Sequence, residues 1–222
     1  MDQLNKEFWD AAAANDFAKV CATVSQGADV NVASGDGRTA LMRSAKRGYE
    51  DIVRFLLDNG ANVRARDFNN KTALMGAAKK GHLKIVKMLV HADADVNSHD
   101  NNARTALMRA AFLGEYDVCH YLIGNGANVN ARDTKGRTAL MEAVLGCRAD
   151  VITLLVDADA DINAKDNNGS TALMRAAYSG IKELVEYLLD HGADKEVTDI
   201  EGNKAIHYVR VECLDDLKGI LK

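Results

Sequence analysis

Among the side chains of this 222-residue chain that could attack a substrate or hold a metal are its cysteines, histidines and methionines. Cys21, Cys119, Cys147 and Cys213 lie far apart and form no C-x-x-C pair, so the spacing predicts no zinc site. Isolated thiols of this kind suit a reducing compartment, and a cytoplasmic location is expected. His82, His91, His99, His120, His191 and His207 are scattered, and no Ser/His/Asp or Cys/His order recurs. Five methionines fall at one spacing, Met42, Met75, Met108, Met141 and Met174, and thioethers are ligands for Cu(I). Packed helices sit about 8–10 Å apart, too far for two such sulfurs to share an ion without rearrangement, so the column is read as core. Asn70-Lys71-Thr72 and Asn168-Gly169-Ser170 are formal glycosylation sequons, read as coincidental in that compartment. The expectation is a chain with no catalytic residues, no metal and no cofactor.

The elements that carry these residues are repeated. Thr-Ala-Leu-Met begins at Thr39, Thr72, Thr105, Thr138 and Thr171, and a degraded copy, Lys-Ala-Ile-His, begins at Lys204. A fixed period of this size dictates a stacked architecture. Within 67–99, "DFNNKT" reads as a turn, and Thr72 as the cap of a first helix. Leu74, Ala77 and Ala78 share one helical face, and Gly81 ends the helix in a left-handed conformation. Ile85, Val86, Leu89 and Val90 form the stripe of a second helix. Helices under about ten residues are marginal alone, so each repeat must be stabilised by its neighbours.

The composition narrows the function. Net charge is −4, which argues against general nucleic-acid affinity. No apolar run reaches the length of a membrane span, and "MDQLNKEFWD" contains no leader-like apolar segment.

The pattern D-x-x-G-x-T-A-L-M-x-A-A-x-x-G-x-x-x-I-V-x-x-L-L-x-x-G-A-D-V-N-A resembles the ankyrin repeat, whose usual core is Thr-Pro-Leu-His. The resemblance covers nearly the whole chain. It implies one all-α solenoid domain over 1–222 with short β-turn fingers: an N-terminal capping repeat 1–33, internal repeats 34–66, 67–99, 100–132, 133–165 and 166–198, and a C-terminal cap 199–222. Capped ends imply a monomer. The chain departs from the family at its proline, replaced by Ala40, Ala73, Ala106, Ala139 and Ala172, and at its histidine, replaced by the methionine column. Alanine is the better helix former. Methionine is expected to replace the histidine's hydrogen bond by packing alone. Cys147 stands where a helix-ending glycine belongs, as do Asp93 and Asp159 at second-helix ends, and Ala103 replaces a turn glycine.

The resemblance also implies a partner-binding concave face made by the fingers and the solvent side of the first helices. Framework columns are fixed by stacking, so specificity must lie in the variable ones. The residue before Thr reads Arg38, Lys71, Arg104, Arg137, Ser170, Asn203; the one after Met reads Arg43, Gly76, Arg109, Glu142, Arg175, Tyr208. Next come Lys46, Lys79, Phe112, Leu145, Tyr178, Val211, and then Arg47, Lys80, Leu113, Gly146, Ser179, Glu212. The expected partner-binding set is basic early (Arg38, Arg43, Lys46, Arg47, Lys71, Lys79, Lys80, then Arg104 and Arg109) and apolar later (Phe112, Leu113, Leu145 and Tyr178), with Phe68 on a finger. The expected partner is a protein segment with acidic and apolar ends. Binding of a polyanion such as RNA along the basic half is the alternative, opposed by the net charge and the lack of aromatics interleaved with the basic residues.

Overall fold

The computed structural model describes residues 1–222. It contains thirteen α-helices and no extended strand; the only bridges are Ala33–Thr39 and His99–Thr105, each closing a finger. The helices come in pairs: α1 (Gln3–Ala14) and α2 (Phe17–Ser25), α3 (Ala40–Arg47) and α4 (Glu50–Asp58), α5 (Ala73–Ala78) and α6 (Leu83–His91), α7 (Ala106–Leu113) and α8 (Tyr116–Gly124), α9 (Ala139–Leu145) and α10 (Ala149–Asp157), α11 (Ala172–Ser179) and α12 (Lys182–Asp190). The last repeat replaces its first helix by 3-10 turns at Ala205–Tyr208 and Val211–Cys213, followed by α13 (Leu214–Leu221). At 12 residues, α1 exceeds the expected helix length.

The chain divides into two compact bodies, Met1–Ala106 with Gly124–Gly126, and Leu107–Ile123 with Ala127–Lys222. In the first body α1, α3 and α5 pack in succession, as do α2, α4 and α6. In the second, α9 packs on α11 and α11 on the Ala205–Tyr208 turn, while α12 meets α13.

The tetrapeptide explains the first helices. The Thr39, Thr72, Thr138 and Thr171 hydroxyls accept from the backbone N–H of Met42, Met75, Met141 and Met174 at 3.3–3.4 Å, satisfying a donor that a helix start leaves orphaned. Leu41, Leu74, Leu107, Leu140 and Leu173 are each 1% exposed, and burial of such a side chain stabilises by about 2 kcal/mol. Small alanines on the same face, such as Ala77 and Ala78, let successive first helices approach closely. Second helices bury one stripe each, for example Ile85, Val86 and Leu89.

The methionines are buried, as read from the sequence. The expectation that they replace histidine by packing alone is corrected at Met174. Its sulfur lies 3.4 Å from the Thr171 N–H and acts as a weak acceptor, in the place where His207 Nδ1 accepts from the Lys204 N–H at 2.9 Å.

Every finger after the first is organised by an aspartate; in the first, Ser34 holds that place and donates to Asp36 Oδ1 and Arg38 O. Asp67 Oδ1 accepts from the N–H groups of Asn69 (2.8 Å) and Lys71 (2.9 Å), and Asp100, Asp133, Asp166 and Asp199 repeat the arrangement. Fingers within a body join by one backbone bond each, such as Phe68 N–H to Asp36 O and Asn167 N–H to Lys135 O. At the other end of the repeat, asparagines link neighbours. Asn130 Nδ2 donates to Asp159 O (3.1 Å) and its Oδ1 accepts from Asp161 N–H (2.8 Å); Asn163 does the same for Gly192 and Asp194. Arg64 replaces this asparagine in its own repeat and keeps the donation, Nε to Asp93 O at 3.0 Å.

The turn column requires left-handed backbone. Cys147 adopts φ 54°, Asp159 59° and Asp93 65°, and Ala103 does so at 56°, where sibling repeats have glycine.

Candidate functional site

The first body carries the early basic residues. Arg38 is exposed but engaged: Nη1 lies 3.0 Å from Asp36 Oδ2, and Nε lies 3.5 Å from Asp67 Oδ2. Arg43 is half-buried, its guanidinium 4.4 Å above the centre of the Trp9 ring, and Trp9 donates its indole N–H to Arg38 O at 3.4 Å. Arg47 Nη1 donates to Ala13 O (3.1 Å) and to the Tyr49 hydroxyl (3.3 Å). Lys46, Lys79 and Lys80 are exposed. Lys71 is half-buried, with its backbone closing the finger turn at Asp67. Phe68 is 75% exposed, its ring lying against Gly37, where a Cβ would come within 2.7 Å of Phe68 Cδ1. Arg104 is half-buried, with its N–H on Asp100 Oδ1.

In the second body Arg109 and Leu113 are half-buried. Phe112, Leu145, Tyr178 and Val211 occupy one column at successive repeats and are 37%, 48%, 61% and 86% exposed. Neighbouring cations hold parts of this column in place. Arg148 Nε donates to Phe112 O (3.2 Å), and Arg210 lies 5.8 Å from the Tyr178 ring centre while donating to Ser179 O (2.8 Å). Val211 belongs to this surface although the sequence reading set it in the column without selecting it.

The arginine-rich columns also do structural work that spacing did not reveal. Each finger aspartate spends Oδ1 on its turn, and its Oδ2 attracts a donor. Arg137 Nη2 reaches Asp133 Oδ2 at 2.7 Å, while its Nη1 lies 2.9 Å from buried Glu142. Arg175 reaches Asp166 Oδ2 at 2.6 Å, and the Tyr208 hydroxyl reaches Asp199 Oδ2 at 2.5 Å. Burial works to raise the Asp133 carboxyl, but the Arg137 guanidinium and the finger N–H groups outweigh it and hold it below the ordinary value. Burial alone would lower Arg137, and its two carboxylate partners raise it instead. Hydrogen bonds from the Tyr208 hydroxyl, the largest, and from Asn203 and Glu201 hold the Asp199 carboxyl at about 2, and Tyr208 is raised in turn. Arg175–Asp166 and Tyr208–Asp199 share a nine-residue interval from finger aspartate to the column after Met, whereas Arg137 reaches Asp133 from four residues away, in the column before Thr.

The chemistry available to the thiols differs by site. Cys119 is pushed up to about 12 by burial, with Glu115 adding to it, which suits an inert core thiol. Cys147 is exposed, and all four cysteines are free. No helix is long and apolar enough to cross a membrane.

None of the curated proteins searched matches the chain. A family model described as "Ankyrin repeats (3 copies)" matches residues 8–100, 88–166 and 107–199. Such repeats are generally protein–protein interaction modules and typically non-catalytic. Together the matches run from residue 8 to residue 199, and the chain belongs to the ankyrin-repeat family.

Proposed function

We propose that this ankyrin-repeat chain is a non-catalytic module that holds a protein segment bearing both apolar and acidic residues on its finger and first-helix face. One observation carries the reading: Phe112, Leu145, Tyr178 and Val211 stand exposed at one register in four successive repeats. Stacking fixes the buried columns and leaves this one free, so nothing in the core requires large apolar groups there. Repeated exposed apolar groups with charged residues around them mark interaction surfaces. In the first body the same column carries Lys46 and Lys79, with Lys80 beside it, and these supply the complement to acidic residues. The free thiols support residence in a reducing compartment.

The test is selection from a displayed random-peptide library on the wild-type protein, with counter-selection on a Phe112→Ala, Leu145→Ala, Tyr178→Ala variant. The expected survivors combine apolar and acidic residues and bind the variant at least tenfold more weakly. Survivors that bind both proteins equally contradict the reading.

A further inference from the structure

The asparagines that join neighbouring repeats make two bonds each. Asn31, Asn130 and Asn163 donate Nδ2 to a carbonyl 29 residues on. Through Oδ1 they accept the backbone N–H 31 residues on, from Asn62 (2.7 Å), Asp161 (2.8 Å) and Asp194 (2.8 Å). Arg64 holds this station between 34–66 and 67–99. Its Nε keeps the donation, to Asp93 O at 3.0 Å, but a guanidinium has no acceptor to offer. The N–H that should meet that acceptor is the one of Asp95, and it makes no hydrogen bond within the protein. The two Nη groups of Arg64 likewise meet no acceptor of the protein. Replacing asparagine by arginine has therefore left unused donors on both sides of one link.

These donors face one cavity of about 490 Å³, which Arg64 and Asp95 both line, and which lies within the first body. Val90, Ala94 and Val96, buried or half-buried, give it an apolar side. Most other polar groups there are already engaged. Asp95 Oδ1 accepts the Asn97 N–H (3.0 Å), and its Oδ2 accepts the Ser98 hydroxyl (2.9 Å). Arg66 donates to His99 O and to Ser98 Oγ, both at 3.2 Å. The carboxylates of Asp93 and Asp95 offset the two arginines, so the cavity has no net charge to draw in a dianion such as phosphate. An anion bound here must match the donors by geometry, as a carboxylate matches an arginine fork.

We infer that this cavity binds a monocarboxylate with a small apolar body. One carboxylate oxygen takes the place of the missing asparagine Oδ1 on the Asp95 N–H, and the other lies on the Arg64 Nη groups. The body packs against Val90, Ala94 and Val96. Such a group is offered by a free branched-chain acid or by the C-terminal residue of a peptide. The bound carboxylate completes the link between the two repeats, so binding adds to their stability. None of these residues belongs to the columns that carry the proposed function, and the inference is tested independently of it.

The experiment is a titration of ¹⁵N-labelled full-length protein with sodium isovalerate, followed at the Asp95 amide and Arg64 Nε–H resonances. A parallel titration uses acetyl-Gly-Val with a free C-terminus. The expected result is saturable shifts of both resonances with at least one carboxylate, absent with isovaleramide and with the C-terminally amidated peptide. The tighter of the two binders identifies the source. Arg64→Asn restores the side chain found at Asn130 and Asn163, and supplies the Asp95 N–H with an acceptor of the protein's own. It is expected to keep the fold, to raise the thermal midpoint of the free protein and to abolish the ligand shifts. Arg64→Ala removes the guanidinium without supplying an acceptor and is expected to weaken binding by about tenfold or more. No saturable shift with either carboxylate overturns the site, as does undiminished binding in Arg64→Asn or Arg64→Ala. Inorganic phosphate saturating the same two resonances at lower concentration overturns the monocarboxylate assignment.

Discussion

Arg175 Nη2 lies 2.6 Å from Asp166 Oδ2, so the first helix of that repeat is tied to its own finger by a charged hydrogen bond. Asp166 is buried, and its other oxygen accepts the Asn168 and Ser170 N–H groups at 2.9 and 3.0 Å. Asp166→Ala therefore loses the turn and leaves Arg175 without its partner. A destabilisation of about 3 kcal/mol is expected by chemical denaturation. Arg175→Ala, which leaves the turn bonds in place, should cost less.

The Tyr208 hydroxyl gives a pH signature. Its bond is the largest of the hydrogen bonds that, with those from Asn203 and Glu201, hold Asp199 down from 3.8 to about 2. A carboxyl depressed in the folded state contributes stability that is present above its unfolded pKa and lost as pH falls through the folded one. The contribution of Asp199 should thus disappear between 3.8 and about 2. In Tyr208→Phe, the Asp199 side-chain carboxyl should titrate measurably higher by carbon-detected NMR. An unchanged titration contradicts the assignment.

Cys147 occupies left-handed backbone at φ 54°, and Asp159 does so at 59° in the same repeat. Repeat 34–66 meets its corresponding requirements with Gly48 and Gly60. Cys147→Gly should stabilise by about 1 kcal/mol. Amide exchange in 133–165 should be faster than in 34–66 and slow in the variant; equal protection of the two repeats counts against this.

Asn163 connects two repeats through Gly192 O and Asp194 N–H. Asn163→Ala should cost about 1–2 kcal/mol in thermal or denaturant unfolding, since two bonds are lost and water replaces them in part. Asn163→Asp keeps the acceptor and should fall between wild type and alanine.

The fold was legible because its determinants are local and periodic. Thr72, Leu74 and Gly81 each have one job set by helix start, core and helix end, and the period repeats that job. Even the irregular residues Cys147 and Asp159 were readable, since a side chain at a glycine column announces a left-handed residue. The site was less legible because a column of arginines does not say where each guanidinium goes. Arg38 and Arg175 turn inward to finger aspartates, while Arg43 is laid on Trp9, a residue whose role depends on contacts 29 and 34 positions along the chain. Arg64 keeps the asparagine link through Nε, which no residue-type pattern anticipates. Met174 acting as an acceptor depends on a rotamer, which the sequence does not specify.

Under the proposed function the exposed apolar column anchors a protein segment, and basic residues, Arg47 and Lys80 among them, steer its approach. The most direct measurement is surface plasmon resonance with the tightest library-selected segment on two double variants. Phe112→Ala with Tyr178→Ala should speed dissociation by a factor equivalent to about 2 kcal/mol or more. Arg47→Glu with Lys80→Glu should mainly slow association and flatten its salt dependence. Unchanged kinetics in both, together with a loss of binding in Arg54→Glu on α4, would place the interaction on the second helices and contradict the account.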